Sequence, residues 1–129
     1  MKKPTYNFFH RISLAITGLF QAIRRERHMK IHLLLSFLVL LPLFWIPVDT
    51  IRIWILIILL CLLIVVELIN TAIETTIDLI TKQFRYRAKL AKDISSGAVL
   101  IIAILVVNFS IFIYWTSMYN FMIGVVLGH

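Results

Sequence analysis

The segment from Ile51 to about Ile69 is apolar almost without interruption and long enough to cross a bilayer as one helix. Two further segments share this character. Ile31 to Ile46 is shorter and ends among Pro42 and Pro47, so its span should start within Lys30–His32; Gly97 to Trp115 is the third. A chain of 129 residues with 61 % hydrophobic and only 15 % charged side chains cannot bury that much apolar surface within itself. The excess must face lipid or other subunits. The expected fold class is an all-α membrane protein of one domain, 1–129. It has an interfacial helix at 7–28 and spans at 31–47, 51–80 and 94–118, the second running on past the membrane. Pro47-Val48-Asp49-Thr50 reads as a turn. Lys82 to Asp93 reads as a basic polar connection, and the apolar tail from Tyr119 either extends the third helix or lies at the interface.

Phe8, Phe9, Ile12, Ala15, Ile16, Leu19, Phe20 and Ile23 recur at spacings of three and four. Arg11, Gln21, Arg24, Arg25 and Arg27 fill the other sectors, the pattern of a basic helix lying in the membrane interface. The net charge of +7 reads as orientation rather than nucleic-acid binding. Seven basic residues precede the first span, five lie between the second and third, and only Arg52 sits in the first turn. That distribution places the N-terminus on the cytoplasmic side and the C-terminus outside. Trp45 and Trp54 at the outer turn, and Tyr114, Trp115 and Tyr119 near the end of the third span, fit an aromatic belt on the outer side. The first 30 residues lack the uninterrupted apolar stretch and small-residue site of a cleavable signal. Cys61 is the single cysteine, has no metal-ligand spacing around it and reads as packing.

The acids carry the chemistry. Of six, Glu67, Glu74 and Asp78 share the second helix with Asn70. At about 100° per residue these positions fall in one stripe, which begins inside the apolar run and reaches the cytoplasmic surface. A carboxylate at the depth of Glu67 costs a few kcal/mol and normally faces a bundle interior. Like charges one and two turns apart repel, so a divalent cation, the basic loop or a proton must offset them. Oxygen donors suit Mg²⁺, which takes one or two carboxylates and keeps phosphate oxygens as partners. Glu67 suits a general base. Lys92 and Asp93 at the start of the third span, and Glu26 at the end of the surface helix, can reach the same place. There is no P-loop or Gly-rich phosphate loop. The residues themselves define an acid–cation site at the membrane face, not the reaction.

The run Glu67-Leu-Ile-Asn70-Thr-Ala-Ile-Glu74-Thr-Thr-Ile-Asp78, followed by Ala91-Lys92-Asp93 and Gly97-Ala98-Val99-Leu100, resembles the prokaryotic diacylglycerol kinases and the related undecaprenol kinases. Gly18-Leu19-Phe20-Gln21-Ala22 and Glu26-Arg27-His28-Met29-Lys30-Ile31-His32 resemble the surface-helix segment of that family. The resemblance covers residues 7 to 118. It implies a lipid kinase of the bacterial cytoplasmic membrane, a homotrimer of three-span subunits with shared active sites. ATP would be co-substrate and a lipid alcohol the acceptor. Undecaprenol is favoured by the Glu26-to-His32 segment, and diacylglycerol is the alternative. By position, Glu67 would be the catalytic base, Glu26 and Glu74 the Mg²⁺ ligands, and Lys92 and Asp93 nucleotide contacts. Asn70 and Asp78 would support the site, Gln83 and Arg85 would also meet the nucleotide, and Arg11 would meet lipid. Gln83-Phe84-Arg85 departs from the family, where an acid and a histidine are common.

Two other readings fit parts of the pattern. A small proton-coupled transporter would use Glu67 as its carrier group, and a non-catalytic membrane adaptor would use the charges only for topology. The transporter leaves the acids beyond the membrane and Lys92-Asp93 without a task. Three helices also offer few surfaces to shield Glu67, Asn70 and Glu74, which implies that neighbouring subunits complete the pocket.

Overall fold

The computed structural model describes residues 7–127, and every regular element among them is helical. Helix α1 is Phe8–Arg25 and α2 is Arg27–Leu40, prolonged by a 3₁₀ turn at Leu41–Phe44; α3 is Thr50–Ile80 and α4 is Tyr86–Leu127. Three stretches are long and apolar enough to cross a membrane: Arg27–Phe44, Thr50–Ile80 and Tyr86–Leu127. At 1.5 Å per residue α4 is about 63 Å long, about twice the hydrocarbon thickness, so it projects well beyond the membrane.

Several element limits differ from those expected. The helix placed at 7–28 stops at Arg25, because Glu26 is extended (φ −87°, ψ 124°) and breaks the chain into α1 and α2. Glu26 is therefore a corner residue, and the helix of the first span begins at Arg27, ahead of 31. Pro42 removes a backbone donor and the α-helical ladder tightens into the 3₁₀ turn before the expected end at 47. The second span starts one residue early, at Thr50, and ends at Ile80 as expected. The connection read at Lys82–Asp93 is a loop only as far as Arg85; Arg87, Lys89 and Lys92 are good helix formers and belong to α4. The same helix passes the expected end at 118 and carries the tail to Leu127.

The core is one seam between α3 and α4. Leu56, Leu60 and Leu63 are buried on α3 and Val99, Val106 and Ile113 on α4. Spacings of three, four and seven keep each set on one face, the arrangement that interlocks helices at small crossing angles. The helices run antiparallel, and polar pairs mark their register: Ser95 meets Asn70, Lys92 meets Asp78, and Arg52 Nη1 donates to Thr116 Oγ1 at 2.7 Å. Arg52 also lies over the Phe112 ring, 5.9 Å from its centroid. Helix α2 packs on α3 and is tied to α4 by the Tyr114 hydroxyl, which donates to the Val39 carbonyl. Cys61 is exposed on α3.

Candidate active site

The seam that holds Leu56, Leu60 and Leu63 continues through Glu67 and Asn70 at the same spacing of four and three. The polar residues inherit the buried face of the leucines. Glu67 is 3 % exposed and Asn70 is 7 % exposed. The expectation that one chain is too small to shield them is corrected at these two positions, where α2 and α4 supply the cover. Only Glu74 remains half-buried, one turn further toward the open end of the helix.

A directed hydrogen-bond chain orders this part of the seam. Ser95 Oγ on α4 donates to Asn70 Oδ1 at 2.6 Å, with the Lys92 carbonyl 3.0 Å away as a second acceptor. Asn70 Nδ2 then donates to Glu74 Oε1 at 3.2 Å. Since Ser95 presents its proton to the amide oxygen, the amide nitrogen must face Glu74, which fixes both side chains. On the other flank, His32 Nε2 lies 3.8 Å from Glu67 Oε2. A cleft of about 240 Å³ opens here, lined at its polar end by His28, His32, Glu67, Asn70 and Glu74.

One turn beyond Glu74, Asp78 accepts a 2.6 Å hydrogen bond from Lys92 Nζ. A second cleft of about 360 Å³ is lined by these two residues together with Gln83, Arg85 and Lys89. Glu26, at the corner between α1 and α2, is half-buried. Asp93 is exposed on α4 and Arg11 is exposed on α1; neither lines these two clefts. The structure thus gathers Glu67, Asn70 and Glu74 in one group and Asp78, Gln83, Arg85 and Lys92 in the next, with Glu26 at the corner between α1 and α2.

Sequence reasoning gave no role to His28, His32 or Ser95. The histidines lie one turn apart on α2, which was a signal for a shared face. Ser95 lies three residues after Lys92, on the same side of α4.

Residues 13–114 match the family described as prokaryotic diacylglycerol kinase. The chain belongs to that family, and it is a lipid kinase. The matched range takes in every site residue named above except Arg11. Among curated relatives, it is similar to the undecaprenol kinase of Bacillus subtilis, 36 % identical over 98 residues that make up 76 % of this chain and 80 % of that protein. It is also similar to a diacylglycerol kinase of Synechocystis sp., 34 % identical over 91 residues, 70 % of this chain and 52 % of the relative; the chain spans about half the length of that protein. Membership of a kinase family implies ATP as the phosphoryl donor, and the apolar helices make the chain a membrane protein. The transporter and adaptor readings fall away.

The kinase's donor set suits a hard cation. Glu74 offers a carboxylate in the cleft of Glu67, and Glu26 carries another at the corner between α1 and α2. Among the described residues no three His, Cys, Asp or Glu side chains form a ready-made metal cage.

Proposed function

We propose that this lipid kinase transfers the γ-phosphoryl group of ATP to the hydroxyl of undecaprenol, at the cytoplasmic face of the bacterial plasma membrane. The observation that carries the reading is the placement of Glu67. It is a buried carboxylate on an apolar seam and lines a cleft with Asn70 and Glu74, while Lys92 lines the next cleft one turn beyond. Phosphoryl transfer needs little covalent help from the protein and much positioning and charge neutralisation. Here the alcohol oxygen bonds to the γ-phosphorus, the bond to the bridging β–γ oxygen breaks, ADP leaves, and Glu67 takes the hydroxyl proton.

The Ser95–Asn70–Glu74 chain holds Glu74 in place, and Glu26 and Glu74 would hold Mg²⁺. When bound, Mg²⁺ neutralises phosphate charge. Lys92 meets the phosphates, exchanging Asp78 for them at small cost, because that pair is solvated: Asp78 is 64 % exposed and Lys92 is 32 % exposed. Gln83 and Arg85 border the same cleft as Lys92 and are suited to the nucleotide. Asp93, next to Lys92, and Arg11, on the interfacial helix α1, are assigned to nucleotide and lipid headgroup on the resemblance alone.

The skew of basic residues supports an N-terminus inside and a C-terminus outside. A homotrimer with shared sites is supported by the half-open position of Glu74. Undecaprenol is favoured by the longer match to the B. subtilis protein; the family description and the Synechocystis relative support diacylglycerol as the second reading. The test is to supply γ-labelled ATP and Mg²⁺ with undecaprenol, diacylglycerol or no lipid. Label in undecaprenyl phosphate supports the proposal. Label chiefly in phosphatidic acid moves the substrate to diacylglycerol, and label in neither overturns the lipid-alcohol reading.

A further inference from the structure

The corner at Glu26 gathers four cations. Arg24 and Arg25 close α1, Arg27 opens α2, and Lys30 follows one turn later; all four are exposed. Elsewhere Lys92 pairs with Asp78, and Arg52 is held by Thr116 and the Phe112 ring. Among the described residues none of the four corner cations makes an ion pair. Glu26, the acid in their midst, is half-buried.

Orientation calls for cations on one side of a membrane, not for four at one corner. The helix dipole accounts for half of them. It favours Arg24 and Arg25 in the last turn of α1 and opposes Arg27 and Lys30 in the first turn of α2, which holds no acid. Burial sets their direction. Met29 is fully buried, and Arg27 lies about 160° round the helix from it, so Arg27 faces outward. Their height is set by His32, which stands 3.8 Å from Glu67. Lys30 and Arg27 lie about 3 Å and 8 Å along α2 from His32, at the end of the span where hydrocarbon gives way to headgroups. Helix α1 completes the surface. None of its residues is buried, and Phe8, Phe9, Ile16 and Phe20 of its apolar stripe are exposed. With that stripe laid into the acyl chains, the cations at its end stand level with lipid phosphates.

We infer that Arg24, Arg25, Arg27 and Lys30 at the α1–α2 corner bind the phosphate groups of anionic phospholipids, and that this contact seats α1 on the membrane. The binding depends on the membrane spans and not on which lipid alcohol the kinase accepts. A lipid surface fits better than a free anion, because the cations adjoin an apolar stripe. A soluble phosphate would answer the cations and leave the stripe in water. The attraction is electrostatic, so salt weakens it. It also reaches Glu26 indirectly. That residue is the extended link between two helices, and holding the helix ends on both sides of it fixes the corner.

The test is hydrogen–deuterium exchange of the full chain in nanodiscs of phosphatidylcholine, alone and with rising fractions of phosphatidylglycerol. Amides from Phe8 to Ile31 should gain protection as phosphatidylglycerol is added, and high salt should reverse the gain. The buried α3–α4 seam should exchange at one rate throughout, which shows that the fold is unchanged. The double variants Arg24→Gln/Arg25→Gln and Arg27→Gln/Lys30→Gln should each need at least about fivefold more phosphatidylglycerol for half the effect, the weight of one cation at an anionic surface. Both faces of a nanodisc carry the same lipid, so altered orientation cannot mimic this loss. Lys82→Gln/Arg87→Gln removes cations about 20 Å along α3 beyond Glu67 and should respond as the wild type does. Equal protection in the two lipids would overturn the proposal, since the apolar stripe alone would then hold α1. So would a wild-type response from both corner variants, or an equal loss in the loop variant, which would reduce the effect to net charge. Protection by inorganic phosphate in phosphatidylcholine discs would replace the lipid surface by a soluble anion. The exchange pattern is read without ATP or lipid alcohol, so it stands or falls apart from the kinase reading.

Discussion

Ser95 reaches from α4 to donate a 2.6 Å hydrogen bond to Asn70 on α3, and Asn70 passes its own N–H to Glu74 at 3.2 Å. Ser95 is 8 % exposed and Asn70 is 7 % exposed, so neither can recover a lost partner from bulk water. Ser95→Ala leaves the amide oxygen buried and unpaired, which costs about 1–3 kcal/mol. The predicted result is a lower thermal midpoint together with weaker activity at limiting Mg²⁺, as Glu74 loses its anchor. Ser95→Thr, which keeps the hydroxyl, should restore both. Thermal unfolding in detergent and a Mg²⁺ titration of the kinase rate check this.

His32 is predicted to position Glu67. Its Nε2 is 3.8 Å from Glu67 Oε2, in the same cleft. Replacing it by Ala leaves the carboxylate free to rotate, and kcat should fall about tenfold, less than the loss of a general base itself. The KM for ATP should hold, because His32 does not line the cleft of Lys92 and Arg85. His32→Gln, which keeps a polar side chain beside the carboxylate, should recover part of the rate. A KM effect on ATP with kcat unchanged would assign His32 elsewhere.

Lys92 is predicted to act through nucleotide binding. Lys92→Ala should raise the KM for ATP by about an order of magnitude, the loss of one charged contact to phosphate. The lost bond to Asp78 should hardly register in stability, since exposed ion pairs are worth about 0–1 kcal/mol. Steady-state kinetics and thermal unfolding of one preparation separate the two effects.

Glu26 and Glu74 come from different elements, so the cation site proposed for them would depend on the folded corner between α1 and α2. Glu26→Gln and Glu74→Gln should each shift the Mg²⁺ dependence to higher concentration. Chelation should abolish transfer reversibly without unfolding the helices, because the α3–α4 seam is built from apolar packing. Circular dichroism during chelation and re-addition of Mg²⁺ checks both statements.

Much of this site was legible before the structure. Glu67, Asn70 and Glu74 fall on one face of any helix, and that face is the one Leu56, Leu60 and Leu63 use for packing. The break at Glu26 was not legible. It falls in a run of charged residues with no proline or glycine, and nothing in local propensity marks it. The early start of α4 was hidden for a related reason, since Arg87, Lys89 and Lys92 are polar enough to read as loop yet favour helix. His32 and Ser95 became site residues only through tertiary contact, with α2 bringing one to Glu67 and the antiparallel register bringing the other to Asn70. The supposed need for neighbouring subunits to shelter Glu67 underestimated how much one α2–α3–α4 bundle can cover.

The central claim is that Glu67 is the base of a phosphoryl transfer to a lipid alcohol. Its most direct test is a single-turnover transfer of label from γ-labelled ATP to undecaprenol by the wild-type protein and by Glu67→Gln, with ATP binding measured on both. The account predicts a rate at least about a hundredfold lower for Glu67→Gln with ATP affinity unchanged. Transfer by Glu67→Gln at the wild-type rate would contradict it.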